Sequence, residues 1–182
     1  MVANPTSRAS LVSLAMDLDR VEALSADLER IAEDREAAAL MRDLVGVFKA
    51  RVPHYHWVGI YLIEGQELWL GPFAGKPSPH ARIPIGQGIC GAAARAGESI
   101  IVDDVNQDAR YLACSLETRS EIVVPILDGR RVLGEIDIDS DQPNAFNEHD
   151  RALLERAASL IAGAIHRASP KPRWETPELV RS

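Results

Sequence analysis

The residues of this chain whose types and spacing suit chemistry are two cysteines, Cys90 and Cys114, and a row of acids late in the sequence. Strand periodicity over residues 131–139 puts Leu133, Glu135, Asp137 and Asp139 on one face and Val132, Ile136 and Ile138 on the other. Carboxylates two residues apart on one strand repel each other, and an ordinary surface would interleave Lys or Thr. Glu121, on the preceding strand-like segment, can join them. Such a cluster suits an ammonium group, a hard metal ion, or an acid kept protonated near neutral pH by adjacent negative charge. The plainer alternative is the solvated outer face of a half-buried sheet.

The glycines of Gly86-Gln87-Gly88-Ile89-Cys90-Gly91 fit G-x-G-x-x-G, but a dinucleotide fingerprint opens a long helix within a βαβ unit, and here Gly97 closes the helix early. The better reading is a tight turn that sets Cys90 in the first turn of a short helix, where unsatisfied N–H groups favour a thiolate. Cys114 sits at the end of a loop a few residues before Glu121. For each thiol alone the plain alternative is a small buried hydrophobe. Two thiols, one at a helix start and one on a loop, with acids on neighbouring strands, make a redox constellation. A zinc site of His80, Cys90, Cys114 and a carboxylate is a further option, but C-x-x-C spacing is absent and no metal is expected. Trp57, Gly59 and Tyr61 share a strand face, as core or as an apolar wall for a small ligand.

These residues need elements to hold them. Residues 1–13 lack apolar periodicity and are expected to be disordered. Over 14–34 the stripe Leu14, Leu18, Val21, Leu28 and Ile31 predicts an amphipathic helix, packed on the core or forming a dimer contact. A second helix spans about 35–52 and ends at Pro53. Strands follow at 56–63 and 67–73 around Glu64-Gly65-Gln66, then near 81–85 and 99–102. The strongest pair, 121–127 and 131–139, meets at Asp128-Gly129-Arg130 and must be antiparallel. Asn147 caps a final helix lined by Leu153, Leu154, Ala157, Leu160, Ile161, Ala164 and Ile165. The tail, 169–182, holds three prolines and is expected to be disordered. This order predicts an α+β domain over 35–168, with a central antiparallel sheet, helices on one face and a ligand pocket on the other.

Composition narrows the partners. The 182 residues are 46% hydrophobic, enough for one core, and the net charge is -7 with no basic cluster longer than Arg130 and Arg131. Nucleic acid and anionic membrane are therefore not expected partners, and a small molecule is. Two cysteines cannot form a disulfide framework, and with no apolar run long enough to span a bilayer and no secretion signal, the expected address is the cytoplasm.

Taken together, HWVGIYLI at 56–63, LWLGPFAGKP at 68–77, RIPIGQGICG at 82–91, ACSLETRSEIVVPI at 113–126 and GEIDIDS at 134–140 resemble the GAF domain. More narrowly, they resemble the free methionine-(R)-sulfoxide reductases within that superfamily, over about residues 35–165. The resemblance implies that Cys90 and Cys114 match two of the family's redox cysteines. It implies that Glu121, Asp137 and Asp139 match its acidic substrate contacts, and that Trp57 and Tyr61 match the aromatic pocket around the substrate's methyl group. Where the best-known members carry a third cysteine, ten residues before Cys90, this chain has His80, an auxiliary candidate. The implied activity is thiol-dependent reduction of free methionine sulfoxide by a Cys90/Cys114 cycle, with no bound cofactor, an external thioredoxin-type reductant and a homodimer. The helix start favours Cys90 as nucleophile; nearness to the Glu121 strand favours Cys114, the preferred choice. The rival reading is a non-catalytic GAF sensor that binds a small molecule or registers oxidation.

Overall fold

The computed structural model describes residues 16–112 and 115–181. Helix α1 (Leu18–Ala32) and helix α2 (Ala37–Arg51) precede strands β1 (Trp57–Glu64), β2 (Glu67–Ala74) and β3 (Arg82–Pro84). Helix α3 (Gly88–Ala96), strand β4 (Ile100–Val102) and the hairpin β5 (Ser120–Asp128) and β6 (Arg131–Ser140) follow. Helix α4 (Glu148–Arg167) and the short strand β7 (Glu178–Leu179) close the chain. The sheet runs in the order β3, β2, β1, β6, β5, β4, with β7 parallel to β2. Both predicted hairpins form; Gly65 at φ +63 and Gly129 at φ +60 supply the left-handed residue each tight turn demands.

Helices α1, α2 and α4 cover one face. Their inward residues, among them Leu28, Leu40, Leu44, Phe48, Leu154 and Ile161, pack on Val58, Ile60, Val124 and Ile138 of the sheet. Helix α4 begins with the reciprocal cap predicted for Asn147: its side chain accepts from the backbone N–H groups of His149 and Asp150, and the Asp150 carboxylate accepts from Asn147 N–H. The α1 stripe turns into this core through Leu24 and Leu28, leaving Leu18 exposed. Helix α3 lies on the other sheet face, over Tyr61, Leu68, Leu70 and Val123. The helices thus divide three to one, and the small helix roofs the face that carries the acids.

Two local expectations change. Leu133 joins the helix-packed core rather than the face of the acids. The β5/β6 register slips between Ile126 and Leu127, where Gly134 and then Val132 are the partners, so Leu133 is the extra residue of a bulge and the alternation is broken there. The tail, expected to be disordered, is tied to the sheet over much of its length. Trp174 covers Gly71, Val180 reaches Gly46, and Glu178 accepts from Trp174 Nε1 and pairs with Arg42 at 2.7 Å. Prolines forbid helix there but leave single side chains free to anchor an edge. The expectation for residues 1–13 falls outside the described residues.

Candidate active site

Three strands set the acids in register. Across β5, β6 and β1, Glu121, Asp139 and Trp57 stand opposite one another; the next row of that face is Val123, Asp137 and Gly59, and the next Pro125, Glu135 and Tyr61. The period-2 reading from Glu135 onward is therefore correct, and the face it defines is not solvated. Glu121, Glu135, Asp137 and Asp139 are at most 3% exposed. Both Glu135 oxygens and one oxygen each of Asp137 and Asp139 are buried without a hydrogen-bond partner among the described residues. No lysine or arginine among the described residues is buried to offset them.

Burial penalises the charged form of each carboxyl. It pushes Asp137 up to about 7, with the Cys90 thiol acting in the opposite direction. Burial, then the charges of Asp137 and Asp139, holds Glu121 well above the ordinary carboxylate range. Burial and Asp137 do the same to Glu135 and Asp139. This face therefore holds protons near neutral pH.

Cys90 arrives from α3. Gly86 at φ +91 and Gly88 at φ +72 turn the chain, and Gly91 packs so closely that a Cβ there would lie 2.6 Å from the Pro84 carbonyl oxygen. The motif thus serves backbone approach and not a dinucleotide. Cys90 is buried in the first turn of α3, as predicted, and its Sγ donates to Glu121 Oε1 at 3.6 Å. Cys114 lies outside the described residues.

Trp57 and Tyr61 share the predicted face with ring centroids 6.5 Å apart, and Trp57 also stacks on Phe73. The space above Gly59 is filled by the Trp57 indole itself, which approaches within 2.1 Å of where a Cβ would stand. Trp57 Nε1 donates to the Lys76 carbonyl oxygen and the Tyr61 hydroxyl to that of His80, so both rings are fixed by the loop between β2 and β3. A recess of about 160 Å³ opens beside Trp57 and Asp139, rimmed by His56, Thr118 and the exposed Lys76–Glu117 ion pair. A void of only about 10 Å³ lies at Cys90 and Glu121. A groove of about 680 Å³ runs over the loop 101–110 and touches none of these acids. Strand periodicity grouped Glu135 with Asp137 and Asp139, whereas the family resemblance carried over only Glu121, Asp137 and Asp139; the structure buries all four on one face.

The GAF domain model matches residues 22–165. The chain belongs to the GAF domain family. This GAF domain is 35% identical over 151 residues to Protein YtsP of Bacillus subtilis, covering 81% of this chain and 88% of that protein. It is 33% identical over 141 residues to the free methionine-R-sulfoxide reductase of Escherichia coli, covering 75% and 85% of the two chains. Its fold matches the free methionine-R-sulfoxide reductase of Neisseria meningitidis in complex with its substrate, with TM-score 0.76, 31% identity, and coverage of 84% of this GAF domain and 93% of that one.

Proposed function

We propose that this GAF domain reduces free methionine-(R)-sulfoxide to methionine, with its two cysteines as the reductant. The observation that carries the reading is the row of four buried carboxyls beside Cys90 and Trp57, in a chain similar along most of its length to reductases named for that reaction. Asp139 and Asp137 take the substrate's ammonium group, and Trp57 packs against its methyl group. Glu121, which keeps its proton because burial and its acidic neighbours raise it, gives that proton to the sulfoxide oxygen and makes the sulfur electrophilic.

The Cys114 thiolate attacks that sulfur. A sulfur–sulfur bond forms; the oxygen then passes, with its proton, from the substrate sulfur to the Cys114 sulfur as that bond and the original sulfur–oxygen bond break, so that methionine leaves and Cys114 becomes a sulfenic acid. The Cys90 thiol condenses with it, losing water and forming a disulfide, which an external dithiol of the thioredoxin type reduces back to two thiols. The hydrogen bond from the buried Cys90 to Glu121 supports this division of roles, since that sulfur is committed to a carboxyl and does not line the recess beside Trp57. The reading includes a homodimer, which light scattering on the purified chain measures.

The test is a thioredoxin-coupled assay on free methionine-(R)-sulfoxide. Wild type turns over; Cys114→Ser loses turnover and single-turnover methionine alike; Cys90→Ser keeps the single turnover but loses at least about tenfold in the coupled rate. No turnover in folded, reduced wild type would sink the reductase reading, and turnover surviving both substitutions would sink the thiol mechanism.

A further inference from the structure

We propose that Cys90, Glu121 and Asp137 form a binding site for one thiophilic divalent cation of the zinc type. The Cys90 sulfur and one carboxylate oxygen from each acid lie within 4.8 Å of one another. The Cys90 Sγ to Glu121 Oε1 separation is 3.6 Å. In a tetrahedral site with Zn–S about 2.3 Å and Zn–O about 2.0 Å, bonded sulfur and oxygen stand about 3.5 Å apart. One edge of the tetrahedron is therefore already in place, and no other edge is longer than 4.8 Å.

A second observation points to a cation independently of that spacing. Asp137 Oδ1 and both Glu135 oxygens are buried on the same face with no hydrogen-bond partner among the described residues, and no buried lysine or arginine balances them. Buried acids left so are costly unless paired or bound to a metal. The described residues supply three of the four ligands a tetrahedral site takes, and the sulfur selects zinc-like ions over magnesium or calcium. Glu135, two residues before Asp137 on β6, adds a further buried carboxyl outside the ligand set.

Cobalt(II) reads the site out directly, because thiolate ligation gives a charge-transfer band in the near ultraviolet. Titration of the reduced, metal-free full chain is expected to show one equivalent bound, with the band retained in Cys114→Ser and lost in Cys90→Ser. Asp137→Asn and Glu121→Gln should each weaken binding at least about tenfold. Absence of the band in wild type, its survival in Cys90→Ser, or its loss in Cys114→Ser would overturn the assignment. Zinc is also expected to inhibit turnover competitively with the sulfoxide, since both occupy the same acids. That arm rests on the proposed function and the cobalt spectrum does not; inhibition insensitive to sulfoxide concentration would count against the shared site.

Discussion

At the scale of single residues, the four acids differ in what stands beside them, and that difference separates their roles. Asp139 pairs across the sheet with Trp57 and borders the recess, which suits an ammonium contact. Glu121 faces the Cys90 sulfur, where a proton can be delivered. On the proposed function, Asp139→Asn is therefore expected to raise KM for the sulfoxide about 10- to 100-fold with little change in kcat, because it would remove a charge-assisted hydrogen bond to the substrate. Glu121→Gln should instead lower kcat about 100-fold, the amide having no acidic proton to give. Steady-state kinetics of the two variants distinguishes these outcomes; a matching KM effect in both would mean that the acids act only as a joint negative field.

At the scale of elements, α3 and its glycine turn decide where Cys90 points. Gly86 N–H donates to the Gly91 carbonyl at 2.7 Å, folding the turn back on the helix it precedes. A methyl group at Gly91 would meet Pro84 O at 2.6 Å and Gly86 N at 2.7 Å, both backbone atoms that cannot swing aside. Gly91→Ala is expected to cost about 1 to 3 kcal/mol of stability and to displace Cys90 from Glu121. Thermal unfolding together with the rate of Cys90 alkylation in a Cys114→Ser background measures both effects. The glycine spacing was legible in the sequence, and so was its disagreement with a dinucleotide site, because Gly97 ends α3 in the left-handed conformation at φ 68. The bulge at Leu133 was not legible: β5 and β6 each alternate acceptably on their own, and only their pairing reveals the extra residue.

At the scale of the whole molecule, burying four carboxyls on one sheet face ties stability to pH. Each of these groups has its folded-state value raised above the unfolded one, so folding takes up protons. Their contribution is most favourable below about pH 4 and is lost as pH rises through the folded values, about 7 for Asp137. The ligand-free, metal-free protein should therefore melt several degrees higher near about pH 5 than near about pH 8. Glu135→Gln, which removes a buried acid while keeping its shape, should flatten that slope and raise the melting temperature at the higher pH. A melting temperature that climbs from about pH 5 to about pH 8 in wild type would contradict the burial of these four acids.

The amino-acid sequence by itself determined the hairpins, the N-terminal cap of the last helix, and the alternation that places Glu135, Asp137 and Asp139 together, because these depend on periods of two or 3.6 residues and on turn chemistry within one segment. It also singled out Cys90, Glu121, Trp57 and Tyr61. Only the tertiary structure decided that the acid face is dry. Whether a strand face meets water depends on what covers it, and α3 together with the loops beside it does so here. The same packing brings the Cys90 sulfur to 3.6 Å from a carboxylate 31 residues further along the chain, a distance that no spacing rule contains.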